Sequence, residues 1–239
     1  MSRLFLVRHG QASFLERNYD KLSAKGETQS RMLGEYWAGL NLCFDRVYSG
    51  PRVRQRDTAR IAGEAYKAAG IAWPEPTVLQ EFDEFQAEAV IERSLPELIE
   101  TDADIRTMNL AFKAAQTRPE QFKTFQAMFE VIIGRWADGM LPLDGIEPWE
   151  MFCSRVQHGL AELCANEGNG QQIAIFSSGG PVGVAMQRAL DLSTKSTLKT
   201  AWMVRNCSFS EFLFSPGRFT LSTYNAVPHF TDPEFLTHR

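Results

Sequence analysis

The sequence lacks the features that mark metal-binding, disulfide-rich and membrane-spanning proteins. Its four cysteines form no C-x-x-C pair, and no histidine lies at metal-ligand spacing from any of them. No apolar run approaches the roughly 20 residues that span a bilayer, and the N-terminus lacks the basic and apolar regions of a signal peptide. We therefore expect a cytoplasmic protein with reduced, buried cysteines, no metal and no membrane partner.

Positive charge is also scarce. The 25 Lys and Arg residues are outnumbered by 29 Asp and Glu residues, which gives a net charge of −4. This balance argues against nucleic acid as a partner, and an anionic ligand would need a local cationic pocket. The apolar share of 44% and the charged share of 23% are typical of globular proteins. A chain of 239 residues fits one α/β domain, 1–239, with a sizeable insertion.

The strongest signal lies near the N-terminus. Leu4–Val7 is a continuous apolar run, typical of a buried strand in a parallel sheet, and it ends abruptly at Arg8, His9 and Gly10. Ligands bind beyond the carboxyl ends of such strands. A neutral imidazole can attack phosphorus, and a guanidinium matches phosphate oxygens. The alternative is a core histidine beside a surface arginine, which we would favour if this motif stood alone.

Two further predicted strands end in similar residues. One, over residues 44–49, leads through Gly50-Pro51 into a helix over about 52–69 that begins with three arginines. The other, over residues 173–176, leads into a Ser-Ser-Gly-Gly-Pro segment and a helix that ends near residue 190. Helix starts present free backbone N–H groups and a positive dipole end, which favour anions. Together the three strand ends predict a phosphate pocket.

Residues 86–140 differ from the rest of the chain. They are helical in pattern and rich in aromatic residues, and Pro96 and Pro119 are expected to break the helices. We interpret them as a helical insertion that covers one side of the core. The C-terminal part predicts a β-hairpin, with strands over residues 206–214 and 218–225 joined by Ser-Pro-Gly.

These ordered motifs resemble those of the histidine phosphatase superfamily, also called the phosphoglycerate mutase-like family. The matching segments are residues 6–11 (L-V-R-H-G-Q), 22–29 (L-T-x-x-G-x-x-Q in the family), 48–59 (S-S-P-x-x-R-x-x-Q-T-A), 79–81 (L-x-E), 145–156 (G-E-S…R-V) and 225–230 (N-x-x-x-H-L). The resemblance covers nearly the whole chain except about residues 86–140. It implies a three-layer α/β/α sandwich with a mostly parallel sheet.

The resemblance also implies roles for the matched residues. His9 would be the nucleophile that becomes phosphorylated. Arg8 and Arg54 would bind the phosphate oxygens and offset charge during transfer, and Gln11 would add to the phosphate site. Glu81 would protonate the leaving oxygen and then activate water.

Three residues near these positions are less favoured as site residues. Glu84 is the less favoured acid because the L-x-E register selects Glu81, although without the resemblance Glu81 could equally be an exposed carboxylate after a strand. Arg52 and Arg56 lie on other faces of the predicted helix from Arg54, and we expect both to be solvated surface charges.

One position departs from the family pattern. The family usually has S-H-G-G after the late strand, with the histidine as a second phosphate ligand, whereas Ser178 stands at that position here. A hydroxyl can donate to phosphate but carries no charge. Losing a charge-assisted bond in such a pocket costs roughly 2–4 kcal/mol of transition-state stabilisation. His229 is the other histidine with a route to the site, and we expect it to hold the C-terminal segment against the core.

The leading hypothesis is a metal-independent phosphomonoester hydrolase that acts through a phosphohistidine at His9, without a cofactor, on a small phosphorylated molecule. One alternative is a phosphate-binding pseudoenzyme, which the Ser178 substitution motivates. Another is a phosphoglycerate mutase-type phosphotransferase, but no motif selects the phosphorylated cofactor that a mutase needs. A homodimer is a further expectation.

Overall fold

A computed structural model describes residues 1–13, 20–166 and 170–238 of the protein. Its strands are β1 Ser2–Arg8, β2 Arg46–Ser49, β3 Thr77–Val78, β4 Gln172–Ser177, β5 Phe209–Ser215 and β6 Arg218–Ala226. Its α-helices are α1 Ala24–Gly39, α2 Val53–Ala68, α3 Ala87–Thr101, α4 Ala103–Ala114, α5 Arg118–Ala137, α6 Trp149–Asn166, α7 Gly179–Leu190 and α8 Thr194–Met203. Across those described ranges, no helix is long and apolar enough to cross a membrane.

The six strands form one mixed sheet in the order β3-β2-β4-β1-β5-β6. The first four are parallel, and β5 and β6 add an antiparallel hairpin at one edge. The predicted mostly parallel α/β fold and the predicted hairpin are therefore confirmed. In the hairpin turn Gly217 has a φ of 72°, a left-handed conformation that favours glycine.

The predicted central strands are buried because they carry apolar residues on both faces. In β1, Leu4, Leu6 and Val7 are fully buried, and in β4 the whole run 173–176 is. One face of the sheet packs against α1 and α2 through an aromatic cluster, in which the ring of Trp37 lies 5.8 Å from that of Phe5 and 5.1 Å from that of Phe44. This core holds the carboxyl ends of β1 and β4 in place.

The chain divides into two compact units, residues 1–84 with 155–239 and residues 85–154. The second unit contains α3, α4, α5 and the start of α6, and it includes the whole of the predicted helical insertion. Within it, Asp102 caps the N-terminus of α4 and forms an ion pair with Arg135 at 2.6 Å. That 1–239 form a single domain stays a prediction.

The expected helix break at Pro96 is wrong. Pro96 lies inside α3, which continues to Thr101. Proline removes one helical hydrogen bond but does not forbid the helical φ, and the helix extends past it. Pro119 lies in the first turn of α5, where its missing N–H has no helical partner to lose.

His229 makes stability depend on pH. It is buried beside the rings of Tyr36 and Phe230, and burial lowers its pKa to about 4. In the unfolded chain the ordinary pKa is about 6.5. The neutral ring therefore contributes full stability above about pH 6.5, and that contribution falls as the pH drops toward 4.

We expect wild-type protein to lose about 2 kcal/mol more unfolding free energy between about pH 7 and pH 5 than the variant His229→Phe, which cannot titrate. Urea unfolding of both proteins at the two pH values measures this. An identical pH dependence in the two proteins would contradict the burial of a neutral His229.

Candidate active site

Three strand ends meet at the centre of the sheet, as the sequence predicts. β4 lies between β2 and β1, with Arg8 paired to Ser177 and Ser49 paired to Phe176. Just beyond the strands, the amide of His9 donates to the carbonyl of Ser177 at 2.8 Å. The segments that follow all three strands therefore lie side by side.

The imidazole of His9 is held in one tautomer. Its Nδ1 lies 2.7 Å from the carbonyl oxygen of Gly10. Because that oxygen can only accept, Nδ1 must carry the proton, and Nε2 keeps its lone pair. Nε2 accepts from Nε of Arg54 at 3.1 Å. His9 is 3% exposed, and burial, followed by the charges of Arg54 and Arg8, holds its pKa well below the usual value. The ring is therefore neutral at neutral pH, with its lone pair on Nε2.

The loop after His9 fits closely against α1. A side chain at Gly10 would place its Cβ 2.5 Å from the carbonyl oxygen of Gly26, so only glycine fits there. The amide of Gly10 donates to Oγ1 of Thr58 at 3.0 Å, and Thr58 donates to the carbonyl of Arg54 at 2.7 Å. One helical turn of α2 thus anchors the backbone N–H of Gly10, the residue whose carbonyl orients His9.

Arg54 points into the site from the first turn of α2 and is 4% exposed. Its Nη1 forms an ion pair with Oδ1 of Asp20 at 3.0 Å. The other oxygen of Asp20 accepts from the amide of Val53 at 2.9 Å, so the same carboxylate satisfies a free donor at the helix start. The sequence analysis did not identify Asp20 as a site residue. A search for an acidic side chain that accepts from the free N–H groups at the start of α2 could have found it.

Arg8 and Gln11 flank His9 in sequence. Arg8 is half-buried, and its Nη1 donates to the carbonyl of Val204. The side-chain oxygen of Gln11 accepts from Oγ of Ser23 at 3.0 Å, and the backbone N–H of Gln11 donates to the side-chain oxygen of Gln29. Phosphate binding by Arg8 and Gln11 stays a prediction.

Ser178 lies at the start of α7 and is fully buried. Its Oγ accepts a hydrogen bond from Nε2 of Gln55 at 2.8 Å. The same amide nitrogen donates to the carbonyl of Phe82 at 3.3 Å, and the amide oxygen accepts from the backbone N–H of Arg52 at 3.0 Å. Gln55, which is also fully buried, was not among the predicted site residues.

The family of the chain is shown by its sequence. The sequence model described as "Histidine phosphatase superfamily (branch 1)" matches residues 4–128 and 86–227. The chain belongs to this superfamily. Membership supports phosphatase-type activity by an enzyme of this family. No curated protein sequence matches the chain.

Solved structures of other proteins share the fold of this superfamily member. Alpha-ribazole phosphatase from Shigella flexneri is 18% identical with a TM-score of 0.62, over 94% of this chain and 96% of that one. Phosphoserine phosphatase from Entamoeba histolytica, in complex with 3-phosphoglyceric acid, is 17% identical with a TM-score of 0.63, over 96% and 99%. Phosphoglycerate mutase from Bacillus anthracis str. Sterne is 15% identical with a TM-score of 0.62, over 95% and 94%. At these identities the likeness concerns the fold alone.

The side chains of the two candidate acids, Glu81 and Glu84, point in different directions after β3. A Cβ added to Gly159 of α6 would meet the Cβ of Glu81 at 2.6 Å, so the first carbons of the Glu81 side chain lie against that helix. Oε2 of Glu84 accepts from the amide of Gly180 at 3.2 Å. The carboxylate of Glu84 therefore lies at the N-terminus of α7, two residues from Ser178.

Arg52 differs from the expected solvated charge. It is half-buried, and its Nε forms an ion pair with Oδ1 of Asp83 at 2.5 Å. It also donates to the carbonyl of Glu84. Arg52 therefore fastens the segment with both candidate acids to the start of α2. Arg56 is exposed, as predicted.

The C-terminal tail also reaches this region, which sequence reasoning did not foresee. Nδ2 of Asn206 donates to the carbonyl of His9 at 3.2 Å, and the amide of Asn206 donates to the carbonyl of Thr237 at 2.9 Å. Gln29 accepts from the amide of Gln11 and donates to Oγ1 of Thr237 at 2.9 Å. Two buried side chains thus tie the tail to the loop around His9.

Proposed function

We propose that this protein is a phosphomonoester hydrolase that transfers the phosphoryl group of its substrate to Nε2 of His9. The observation that carries the proposal is the state of the imidazole. It is buried and neutral, Nδ1 is bound to the carbonyl of Gly10, and the lone pair of Nε2 is directed at Arg54. A nucleophile that is pre-oriented and carries no proton at the attacking atom needs no separate base.

The proposed reaction uses Nε2 of His9 as the nucleophile, Arg54 as a phosphate ligand, one carboxylic acid and a water molecule. A phosphate group entering the pocket would take over the N–H groups of Arg54, which frees Nε2 to attack phosphorus while the bond to the leaving oxygen breaks. A carboxylic acid gives its proton to that oxygen. The resulting carboxylate then accepts a proton from water, whose oxygen attacks the phosphohistidine and releases phosphate.

Two guanidinium groups, Arg8 and Arg54, would offset the charge of the phosphoryl group during transfer, so we propose that catalysis needs no metal ion. Among the residues that the structure describes, no group of three His, Cys, Asp or Glu side chains could hold a metal. Wild-type activity should therefore survive EDTA.

The test of the proposed function is to trap the intermediate. Wild-type protein is mixed with excess p-nitrophenyl phosphate, quenched in alkali, which preserves phosphohistidine, and digested for mass spectrometry. The expected result is a phosphoryl group on the peptide that contains His9, together with release of nitrophenol in the presence of EDTA. Steady turnover without any modified histidine would overturn the phosphohistidine pathway.

The acid can be identified with a matched pair of variants, Glu81→Gln and Glu84→Gln. A proton donor matters most for a poor leaving group. If Glu81 has the role implied by the family, Glu81→Gln should lower kcat on an alkyl phosphate by about 10²–10³-fold and on nitrophenyl phosphate by much less. Glu84→Gln should affect both substrates equally. The reverse pattern would transfer the role to Glu84, whose carboxylate lies at the start of α7.

The second candidate function is a phosphate-binding protein with little turnover. The absence of a cation at position 178 favours it. Binding of phosphate without nitrophenol release in the trapping experiment would select this function. A phosphoglycerate mutase-type transfer would instead regenerate a phosphorylated acceptor rather than inorganic phosphate. That the substrate is a small phosphorylated molecule, and that the protein forms a homodimer, stay proposals.

A further inference from the structure

The amide of Gln55 is bound to Ser178, at the position where the family has its second histidine. The two side chains are fully buried and joined by a 2.8 Å hydrogen bond. Gln55 follows Arg54 directly, at a position that the motif over residues 48–59 leaves variable. We propose that Gln55 and Ser178 act as one unit in place of that histidine, with Gln55 as a positioning residue that makes the Ser178 hydroxyl a donor to the phosphoryl group. This inference rests on the proposed function.

The orientation of the Gln55 amide follows from its surroundings. Its oxygen accepts from the backbone N–H of Arg52, and its nitrogen faces the carbonyl of Phe82. In the flipped orientation an N–H₂ group would face an N–H donor, and an oxygen would face a carbonyl oxygen. Both contacts would be repulsive. Gln55 therefore donates to Ser178 and cannot accept from it.

The polarity of the Ser178 hydroxyl follows in turn. Because Oγ accepts from Gln55, the hydroxyl proton must be given to a different acceptor. Within the described part of the chain, no residue accepts it, and the nearby carbonyl of Phe82 already accepts from Oγ of Ser177 at 2.8 Å. His9 is bound through its amide to the carbonyl of Ser177. An oxygen of a phosphoryl group at His9 would be an acceptor next to this hydroxyl.

The position of Gln55 also explains why a histidine would not simply fit. A Cβ at Gly50 would lie 2.2 Å from Oε1 of Gln55, so the amide is in close contact with the backbone on its far side. Gln55 cannot retreat there when Ser178 is enlarged. We expect Ser178→His alone to be overpacked and to lower the melting temperature, and Gln55→Ala/Ser178→His to recover most of that loss.

A double-mutant cycle tests whether the pair acts as a unit. Gln55→Met keeps the size but removes the hydrogen bonds, and Ser178→Ala removes the hydroxyl. We expect each to lower kcat on nitrophenyl phosphate about tenfold with a smaller change in KM, because a neutral donor gains strength as charge develops in the transition state. The double variant should also lose about tenfold, since either change already disables the unit.

The variant Gln55→Glu gives a readout that a purely structural role would not move. An ionised carboxylate accepts the proton of Ser178 and withdraws it from the phosphoryl group. We expect the ratio of variant to wild-type kcat to be about 0.1 near pH 7 and to rise as the pH falls and the carboxyl protonates. This variant also serves if Gln55→Met does not fold, because Glu and Gln have the same shape.

The results test the inference whether or not the wild-type protein has turnover. A folded Gln55→Met with wild-type kcat, a double variant with a loss of about 100-fold that is the product of the single losses, or a pH-independent Gln55→Glu ratio would overturn it. If wild-type protein forms no phosphohistidine and has no turnover, the proposed function fails, and the same cycle is measured on vanadate affinity by calorimetry. Non-additive losses of affinity would then support the pair, and additive or absent losses would overturn it.

Discussion

The variant His9→Ala is expected to lose at least about 10³-fold in kcat on nitrophenyl phosphate, the largest effect of any single change considered. The reason is that Nε2 of His9 is the atom that bonds to phosphorus in the proposed reaction, and no other described imidazole lies in hydrogen-bond contact with Arg54. Alanine leaves a cavity in place of a buried ring. The residual rate should therefore come from the rest of the pocket alone.

Two controls make this result specific. His158→Ala alters an exposed histidine on α6 and should leave kcat unchanged. Vanadate affinity of His9→Ala, measured by calorimetry, should show that the arginines still bind the anion. If His9→Ala kept more than a tenth of wild-type activity while folded, the phosphohistidine mechanism would be wrong.

The second large effect is expected for Arg54→Ala, with a loss of about 10²–10³-fold in kcat and a marked loss of phosphate affinity. Arg54 is 4% exposed, donates from Nε to His9, and is fixed by its ion pair with Asp20. It is therefore pre-oriented, and its charge acts in surroundings with little water, where electrostatic stabilisation is strong. Removal also leaves the Asp20 carboxylate beside the pocket without its partner.

Two variants serve as matched controls for Arg54→Ala. One places a lysine at position 54, and the other removes the arginine two residues further along the helix. Arg54→Lys keeps the charge but not the Nε donor or the planar fork, and it should remain at least about tenfold below wild type. Arg56→Ala removes an exposed arginine of the same helix turn and should be nearly silent. Equal losses in Arg54→Ala and Arg56→Ala would show that general positive potential, rather than contact, explains the effect.

The variant Arg52→Ala would be a poor control for Arg54→Ala, because Arg52 has a structural partner. Helical spacing separates Arg52 from Arg54 correctly, but spacing does not reveal what lies opposite each face. Arg52 meets Asp83, from a segment 31 residues further along the chain. Its loss would disturb the segment with Glu81 and Glu84, so a reduced rate in Arg52→Ala would not distinguish phosphate contact from displacement of an acid.

The acid assignment shows the same limit. The L-x-E register selects Glu81, whereas the hydrogen bond to Gly180 brings the carboxylate of Glu84 to the start of α7. Both residues follow the same short strand, β3, so the sequence places both of them near the carboxyl end of that strand. Which of them meets the phosphoryl group depends on the turn that the chain makes over Gln80–Phe82, and a three-residue turn leaves no periodic pattern to read.

The sequence by itself determined the parallel sheet and the ends of its three central strands, and it placed Arg8 and His9 at the end of β1. These features are local: a continuous apolar run can be satisfied only by burial on both faces, and parallel strands bring their carboxyl ends to one edge. The start of α2, close to the predicted residue 52, could be predicted for the same reason, since a proline such as Pro51 acts on its own neighbours.

Only the tertiary structure decided how that site is completed. The partner of Ser178 is Gln55, 123 residues away in sequence, that of Arg54 is Asp20, and the tail reaches His9 through Asn206. Each of these hydrogen bonds joins residues from segments that the fold brings together, and its geometry depends on rotamers and close packing rather than on spacing along the chain. A serine where the family has a histidine can be seen in the sequence, but the glutamine that supports it becomes visible only when α2 and α7 lie side by side.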